Sequence, residues 1–457
     1  MPRSTALFVA PLLLLFAAPH SAKAQDSDPG QLARILERLD VLEQQNRELL
    51  AEIRSLRQQL VSTTAAASPT AEPETAATAP AEERLAVAEQ QIRDLAQSRL
   101  ETEHRDAIQL TGMLLFNAFH NDRYSGGSGD PTVASAASGT STDGATLRQT
   151  ILGLKFQAPE KIAGMEVSGS AYMDFFAGTG TSLNQLMRLR VASIDFAWHN
   201  TTFTVAQDKP ILAPREPDSL AQVGVSPLTG TGNLWLWQPQ ARIEQRFHFD
   251  ETAGLRAQIG VYQTSEGRNV PSEYSSVVTG SRPALEGRFV FWKQSQTDSP
   301  FEIAPGFHIS DTHVAGMTIP SRIASLDWQA PLGGKLILTG TLFRGENMGV
   351  IGGLPQGVAE NPWNYLHAVR GWGGWGQLKY LATNRLSFNI YGGQEDDTNR
   401  DLSSGAIGKN QAYAANVMYR VMSNVLASFE WSYLRTTYLG SGVRSNPHYD
   451  VAFAYLF

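Results

Sequence analysis

The last ten residues of the chain, from His448 to Phe457, alternate in character with a period of two. One parity carries aromatic and large apolar side chains, and the other carries small or polar ones. The first set is Tyr449, Val451, Phe453, Tyr455 and Phe457, and the second is His448, Asp450, Ala452 and Ala454. Because successive side chains of a β-strand point to opposite faces, the segment predicts a strand with one aromatic face. A terminal strand has an open edge unless another strand pairs with it, and closing a barrel removes that edge. The alternation therefore favours the closing strand of a barrel over the edge strand of a β-sandwich.

The same alternation recurs along the chain, with apolar residues on one face and charged residues on the other. It is clearest in four segments, 165–175, 241–249, 255–262 and 425–433. This pattern is typical of a barrel wall between lipid and water, but a sandwich shows it with the faces exchanged. Three further features favour the barrel: aromatic residues at strand ends, alternating short and long links, and an unbroken run of strands.

The spacing of these segments sets the strand number. We predict an all-β fold, a transmembrane antiparallel β-barrel of about 16 strands over residues 109–457, preceded by an N-terminal periplasmic coiled-coil helix. An even number puts both ends of the barrel chain on one side, and about 16 strands leave an aqueous channel. Leu186–Trp198 and Ile319–Trp328 change parity midway, which predicts a β-bulge in each.

Residues 1–24 predict a secretory signal peptide. Arg3 supplies the basic region, residues 6–18 supply the apolar run, and Ala22-Lys23-Ala24 is a small-x-small cleavage site. No later stretch approaches the ~18 apolar residues of a membrane-spanning helix. The mature chain is therefore expected in the periplasm or in the outer membrane.

Residues 25–61 predict a coiled coil. Apolar residues recur there at alternating spacings of three and four, with one polar residue, Asn46, at an a position. So narrow an apolar stripe needs partner helices, and a helix packed on its own domain is the alternative. Residues 62–81, rich in Ala, Thr, Ser, Pro and Glu, predict a disordered linker, and residues 82–108 predict a second helix that leads to the barrel.

Composition argues against several functions. The chain has no Cys and hence no disulfide or thiolate chemistry, and its net charge of −7 argues against a nucleic-acid partner. No phosphate loop or dinucleotide fingerprint occurs. His308, Ser310, Asp311 and His313 lie close together in sequence, but nothing else indicates a catalytic triad or a metal cluster. We predict no catalytic residue, no metal and no cofactor, and hence no enzyme.

Basic residues gather on the face of the predicted wall that would line the channel. A ladder of Arg in a pore selects anions, and the guanidinium fork binds carboxylate or phosphate at two points. The alternative is that these residues pair with acidic residues on neighbouring strands and brace the lumen; the pattern does not separate the two. The candidate pore-lining and anion-binding residues are Arg188, Arg190, Lys209, Arg215, Arg242, Arg246 and Arg288.

The segment Pro210–Asn233 predicts a constriction loop. It is long, follows Asp208-Lys209 and contains Arg215-Glu-Pro-Asp218. A loop of this length that folds into the lumen narrows a wide barrel. A mobile external loop is the alternative.

Six parts of the barrel segment carry a family resemblance: Leu110–Phe116, Leu147–Leu154, Met187–Arg190, Val205–Pro210, Ser321–Asp327 and the terminal Phe457. These stretches resemble the DcaP-like porins of Gram-negative outer membranes. The resemblance implies a trimeric sixteen-stranded barrel with a periplasmic N-terminal coiled coil. It also implies passive uptake of small anionic solutes, such as dicarboxylates, through a barrel embedded in outer-membrane lipid.

Together these inferences predict a homotrimeric outer-membrane porin for small hydrophilic, anionic solutes. The alternative function is an envelope tether, in which the coiled coil contacts peptidoglycan or a periplasmic partner and the barrel is an anchor. Deleting residues 31–107 distinguishes the two, because a porin keeps its conductance whereas a tether loses envelope integrity.

Overall fold

The computed structural model describes residues 108–178, 185–266, 269–278, 283–295, 299–363 and 365–457. These residues belong to one compact unit, Glu103–Phe457. The predicted signal peptide, coiled coil, linker and second helix lie outside the described residues, apart from residue 108. Ile108 begins the first strand, one residue before the predicted start of the barrel.

The described chain is built almost entirely of antiparallel β-strands, with three short 3-10 helices in the links, at Ser272–Val277, Met348–Ile351 and Asn399–Asp401. The strands are β1 Ile108–Asn121, β2 Thr142–Thr146, β3 Ile151–Gln157, β4 Glu166–Ala177, β5 Leu186–Trp198, β6 Thr201–Asp208, β7 Gln238–His248, β8 Ala253–Tyr262, β9 Ala284–Lys293, β10 Phe301–Val314, β11 Met317–Leu332, β12 Leu336–Glu346, β13 Val358–Glu360, β14 Leu366–Ala368, β15 Arg370–Leu381, β16 Leu386–Asp397, β17 Ile407–Met422, β18 Val425–Tyr438 and β19 Gly442–Leu456.

The sheet closes on itself. β19 pairs with β1 in a register that sets Leu456 opposite Met113 and His448 opposite Asn121. β2 and β3 pair with successive parts of β1 and together occupy one place in the wall, while β13 and β14 form a separate hairpin. The wall therefore has sixteen positions, and the predicted strand number is confirmed.

The wall is interrupted between β2 and β3, at residues 147–150, within a segment, 146–157, that the sequence predicts as a single strand. Thr150 leaves the ladder, and its Oγ1 accepts a hydrogen bond from the Leu115 N–H (3.1 Å). Gln149 turns inward, and its Oε1 accepts hydrogen bonds from the N–H groups of Val223 and Gly224, each at 2.6 Å. The interruption thus lets a wall residue hold a segment inside the barrel.

The two faces of the wall differ as the alternation predicts. On β19, Val451 and Phe453 are 40% and 52% exposed, whereas Asp450 and Ala452 are 2% and 0% exposed. Large apolar side chains are exposed in the same way on the outer face of the other strands, and most of the buried polar residues point into the lumen. A closed wall with an apolar outside and a polar inside is the construction of a transmembrane β-barrel.

The described helices are short, and none of them is long and apolar enough to cross a membrane.

The two ends of the barrel differ in their links. The end at which β1 begins and β19 finishes, here called the turn end, has links of two to four residues after β5, β7, β11, β15 and β17. The opposite end, the loop end, has the long links after β1, β6, β8, β12 and β16. Short links also occur at the loop end, after β10 and β18, so the alternation of link lengths is less strict than the sequence predicts.

One of the two predicted β-bulges is present. Tyr172 pairs with Val191 and Met173 pairs with Leu189, so Arg190 is an extra residue in β5. Gln207 on the outer face of β6 donates hydrogen bonds to the Leu189 and Arg190 carbonyls, each at 3.1 Å, and so satisfies the groups that the bulge leaves unpaired.

The prediction of a second β-bulge, in Ile319–Trp328, is wrong. β11 keeps an unbroken register with β10 and with β12. Its parity changes in the sequence because Ile319 and Ile323 point inward, where loop residues cover them. Two aromatic residues at strand ends, Phe176 and Trp292, also face inward and so take no part in an outer girdle: Phe176 contacts Arg148, and Trp292 contacts His248.

The link between β6 and β7, residues 209–237, folds into the lumen, and we call it the inner loop. Its residues Leu212, Ala213 and Leu234 form a buried apolar cluster with Ile323 and Phe343 of the wall. Leu220 forms a second cluster with Leu115 on β1 and Ala452 and Ala454 on β19. The predicted constriction segment therefore lies within the barrel.

Candidate functional site: a lumen constricted by the inner loop

The inner loop is anchored to walls on opposite sides of the lumen. The Ile211 N–H donates to Glu286 Oε2 on β9 (2.7 Å), and Ser219 Oγ donates to Glu430 Oε2 on β18 (2.6 Å). On β1, Asn117 Nδ2 donates to the Leu220 carbonyl (2.8 Å). Bonds to both sides fix the loop across the channel, so it divides and narrows the space through which a solute would pass.

Arg188 and Arg190 on β5 share one buried carboxylate. Arg188 Nε lies 2.8 Å from Asp174 Oδ1, and Arg190 Nη1 lies 2.7 Å from Asp174 Oδ2. The same guanidinium groups donate to inner-loop carbonyls, Arg188 to Gly224 and Arg190 to Val223 (2.8 Å). The bulge at Arg190 brings both cations to the same acid, and the pair ties the inner loop to the wall.

Arg215 and Arg288 share a second buried carboxylate. Arg288 on β9 contacts both oxygens of Asp327 on β11, each at 2.7 Å. Arg215 of the inner loop donates from Nε to Asp327 Oδ1 (2.8 Å) and from Nη2 to Glu302. Asp327 is fully buried and Arg288 nearly so. A buried carboxylate needs such partners, because leaving it unpaired costs several kcal/mol.

The remaining predicted cations also have acidic partners. Lys209 Nζ lies 2.8 Å from Glu216 within the inner loop, and Arg242 Nη1 lies 2.9 Å from Asp208 on the neighbouring strand. Arg246, near the turn end of β7, pairs with Glu244 at 2.9 Å and is more than half exposed. All seven candidates therefore have an acidic partner, as the bracing alternative predicts, but the pairs of Lys209 and Arg246 lie within the inner loop and within β7 and join no two strands.

Four of the seven candidates meet at one cavity of about 370 Å³ beside the inner loop. The five basic side chains at this cavity outnumber the two carboxylates that border it. The basic residues are Lys209, Arg215, Arg242, Arg256 and Arg288, and the acidic ones are Asp208 and Glu302. We call this space the basic cavity. The other acidic partners, Glu216, Glu244 and Asp327, are not among its lining residues.

A larger cavity of about 700 Å³ lies toward the loop end. Arg148 and Arg188 border it together with Phe176 and Trp235. The Arg148 and Arg188 guanidinium carbons lie 4.2 and 5.0 Å from the centre of the Phe176 ring. Cations stacked on aromatic rings are held by the ring quadrupole, so this wall keeps its charges in fixed positions.

Asp130, in the link after β1, borders the same larger cavity. Its side chain keeps some access to solvent, but the surrounding protein desolvates it and raises the pKa of this carboxyl from 3.8 to about 7, while Arg148 opposes the shift. The charge at this point of the channel therefore changes near neutral pH.

A chain of three side chains beneath the inner loop has the hydrogen-bond order of a hydrolytic triad. His308 Nδ1 lies 2.8 Å from Glu286 Oε1, and His308 Nε2 lies 2.8 Å from Ser310 Oγ. His308 and Glu286 are fully buried and Ser310 is 7% exposed. A substrate cannot reach the Ser310 hydroxyl in this arrangement, and Glu286 also binds the inner-loop backbone. These three side chains thus form a structural support for the inner loop.

The sequence predicts four of the five basic residues of the basic cavity but misses most of their acidic partners. Arg256, Glu302 and Asp327 were not predicted as site residues, although each has the inward parity of its strand. Parity could have placed them in the lumen. The register of β8, β10 and β11 and the path of the inner loop bring them together, and neither can be deduced from the alternation. Within the described ranges, no group of three or more His, Asp or Glu residues is placed to hold a metal ion.

Solved outer-membrane barrels share this fold. The outer membrane channel DcaP of Acinetobacter baumannii matches with a TM-score of 0.63 at 15% identity, over 77% of this chain and 97% of that chain. An anion-selective porin from Comamonas acidovorans gives a TM-score of 0.52 at 11% identity, over 77% and 99%. OprB of Pseudomonas putida gives 0.50 at 10% identity, over 80% and 97%. The resemblance to DcaP-like barrels is thus confirmed at the level of the fold.

No protein-family profile and no curated protein sequence matches the chain.

Proposed function

We propose that this protein is an outer-membrane porin through which small hydrophilic solutes, preferentially anions, diffuse passively. The observation that carries the proposal is the basic cavity beside a loop that narrows the lumen. Its lining has five basic side chains and two carboxylates, so a small anion meets a surplus of guanidinium and ammonium donors there. One of the barrels that resemble this one is itself an anion-selective porin.

Insertion in the outer membrane is supported by the outer face of the wall. The exposed side chains of this face are apolar over most of the height of the wall. Aromatic residues such as Trp198, Tyr380 and Tyr419 are exposed near the turn end. Barrels with such girdles place their short turns in the periplasm and their long loops outside. We therefore place the turn end, where the chain enters the barrel, in the periplasm.

Small dicarboxylates are the solute class that suits the basic cavity best. Arg242 and Arg256 border it with about a fifth to a third of each side chain exposed, and each has several N–H donors besides those that bind its acid. A solute with two carboxylates can contact two guanidinium groups at once, whereas a monocarboxylate can contact only one.

Self-association as a homotrimer is part of the proposal. The described outward positions of β3 to β9 carry no Asp, Glu, Lys or Arg except Lys293 near the turn end. A wall sector that is apolar and uncharged over this width can pack against another copy without burying unpaired charges. Cross-linking of the folded protein, compared with boiled protein on a gel, tests the trimer.

Single-channel recording in planar bilayers tests the porin function. We expect stepwise closure in three steps and a reversal potential shifted toward the anion. Added succinate should reduce the salt current more than acetate at equal charge concentration. A folded barrel that passes no salt current would contradict the porin proposal, and a reversal potential shifted toward the cation would contradict its anion preference alone.

A further inference from the structure

The outer face of the barrel carries most of its described charged residues on one side. In contrast to β3–β9, strands β10 to β18 present acidic and basic residues outward toward the loop end. On each strand, exposed apolar residues show which parity faces outward; examples are Leu342 on β12 and Trp372 on β15. The charged outward residues of this sector are Asp311, Arg322, Arg344, Glu346, Arg370, Asp396, Lys409 and Arg435.

Most basic residues of this sector have a partner in the chain. Arg322 Nη2 donates to Asp311 (3.0 Å), and Arg435 Nη1 donates to the Gln411 side chain (2.9 Å). Lys409 Nζ lies 2.9 Å from Asp396. Arg370 binds both oxygens of Asp401, at 2.6 and 2.8 Å.

Arg344 differs from these residues. It is exposed, and it makes no hydrogen bond or ion pair with any residue that the structure describes. Its direct neighbours across the strands are Ala324 on β11 and Trp372 on β15. Two residues further along β12 toward the loop end, Glu346 lies between Arg322 on β11 and Arg370 on β15. Diagonal neighbours in a sheet lie about 7–8 Å apart, within reach of long side chains.

Arg344 lies about 6 Å short of the loop-end edge of the apolar band, within reach of the membrane interface. It is eight residues along β12 from Leu336, the first residue of the strand. At ~3.3 Å per residue and a tilt of ~45°, this distance corresponds to about 19 Å of an apolar band ~25 Å tall. Trp372 beside it is the type of residue that marks this boundary. A guanidinium here has no counter-charge in the hydrocarbon, and its long stem lets it reach the headgroups.

We propose that Arg344, flanked by Arg322 and Arg370, binds the phosphate of a phosphorylated lipid headgroup in the outer leaflet. The guanidinium fork fits phosphate at two points, and Trp372 offers an apolar surface for the adjoining acyl chains. The inference rests on the proposed insertion in the outer membrane. It adds a lipid site on the outside of the barrel, separate from the basic cavity within it.

Lipid retention by the purified full-length protein tests the site. Diphosphorylated lipid A and its dephosphorylated form are the probes, and native mass spectrometry reports the bound fraction. We expect Arg344→Ala to weaken binding of the phosphorylated lipid about tenfold, the loss of one charge-assisted contact. Arg385→Ala, which removes an exposed Arg at the turn end, is the matched control and should bind like the unaltered protein.

A second substitution and a competition experiment complete the test. Arg344→Gln preserves most of the side-chain stem, so it replaces Arg344→Ala if that variant does not fold. An excess of inorganic phosphate should fail to displace the lipid; displacement would identify a free-phosphate site and overturn the proposal, as would equal lipid binding by the Arg344 variants. Conductance of the Arg344 variants should be unchanged. An absence of conductance in every variant would contradict the porin function and leave the lipid result to stand separately.

Discussion

Arg288 and Asp327 form a two-point ion pair inside the barrel, with both nitrogen–oxygen distances at 2.7 Å. The pair joins β9 to β11, two strands apart in the wall, since β10 lies between them. Arg215 of the inner loop binds the same carboxylate. Asp327 thus holds two basic residues of the basic cavity and one attachment of the inner loop.

Replacing Asp327 by Asn should therefore change selectivity and stability together. Arg288 and Arg215 lose a shared counter-charge, so the reversal potential should shift further toward the anion. The barrel should lose about 3–5 kcal/mol of unfolding free energy, the usual effect of breaking a buried pair. Urea unfolding and bilayer recording measure the two effects. Asp143→Asn, at an exposed pair with His120, is the control and should change stability by less than about 1 kcal/mol.

Removing both Arg188 and Arg190 should weaken anion preference and loosen the inner loop. The double variant Arg188→Ala, Arg190→Ala leaves Asp174 buried without a basic partner and removes two donors to inner-loop carbonyls. We expect a reversal potential nearer zero and a higher, noisier single-channel conductance. The control is Arg385→Ala with Arg420→Ala, two basic residues near the turn end that do not border either cavity. If both double variants behave alike, the tie between β5 and the inner loop does not control permeation.

Channel selectivity should depend on pH through Asp130. Its pKa is raised to about 7, so the carboxyl is neutral in mild acid and becomes charged as the pH rises through neutrality. Anion preference should be greater at pH 5 than at pH 8, because the added negative charge repels anions. A pKa raised by folding also means that this group's contribution to stability declines as the pH rises from about 4 toward 7.

The variant Asp130→Asn should flatten both profiles, as measured by reversal potentials and by unfolding at several pH values. Asp122→Asn changes a carboxylate of the same link that does not border the larger cavity, and it should leave the pH profile intact. A profile that is equally steep in Asp130→Asn would show that another group controls it.

Gly232 is required for the close approach of the inner loop to the wall. Its φ is +105°, and a Cβ at this position would collide with the Gly374 carbonyl on β15. Gly232→Ala should displace this part of the loop, which raises conductance and exposes the loop to added protease. Gly230→Ala is a matched control: its φ is +68°, but its Cβ would meet nothing nearer than 3.6 Å. That variant should cost about 1–2 kcal/mol from backbone strain and leave the conductance unchanged.

The sequence predicts the barrel well because the wall separates two solvents along its whole height. Val451 and Phe453 had to face one way and Asp450 the other, so the period of two indicates both strand and face. The same rule fails where the inner loop supplies a third environment. Leu115, Ile323 and Phe343 face inward and are buried against loop residues. The sequence of their own strands does not predict that a loop covers them.

The candidate site was only half predictable for a related reason. Inward parity identifies Arg188 and Arg288 as lumen residues, and the predicted constriction loop places Arg215 there. Their charge balance depends on partners from other parts of the chain. The pairing of Arg215 with Asp327 spans 112 positions. The choice between anion binding and bracing thus needed the three-dimensional register, and the geometry supplies the bracing together with a residual basic surface.

The attachment of the inner loop has a consequence for the order in which the protein assembles. Ser219 reaches its acceptor on Glu430 across 211 positions, and the Asp218 carbonyl meets Asn416 across 198. These bonds cannot form until the late strands have been made and joined to the early ones. Attachment of the inner loop to this side of the lumen therefore has to wait for β17 and β18, whereas its bonds to β5 and β9 need only strands made earlier in the chain.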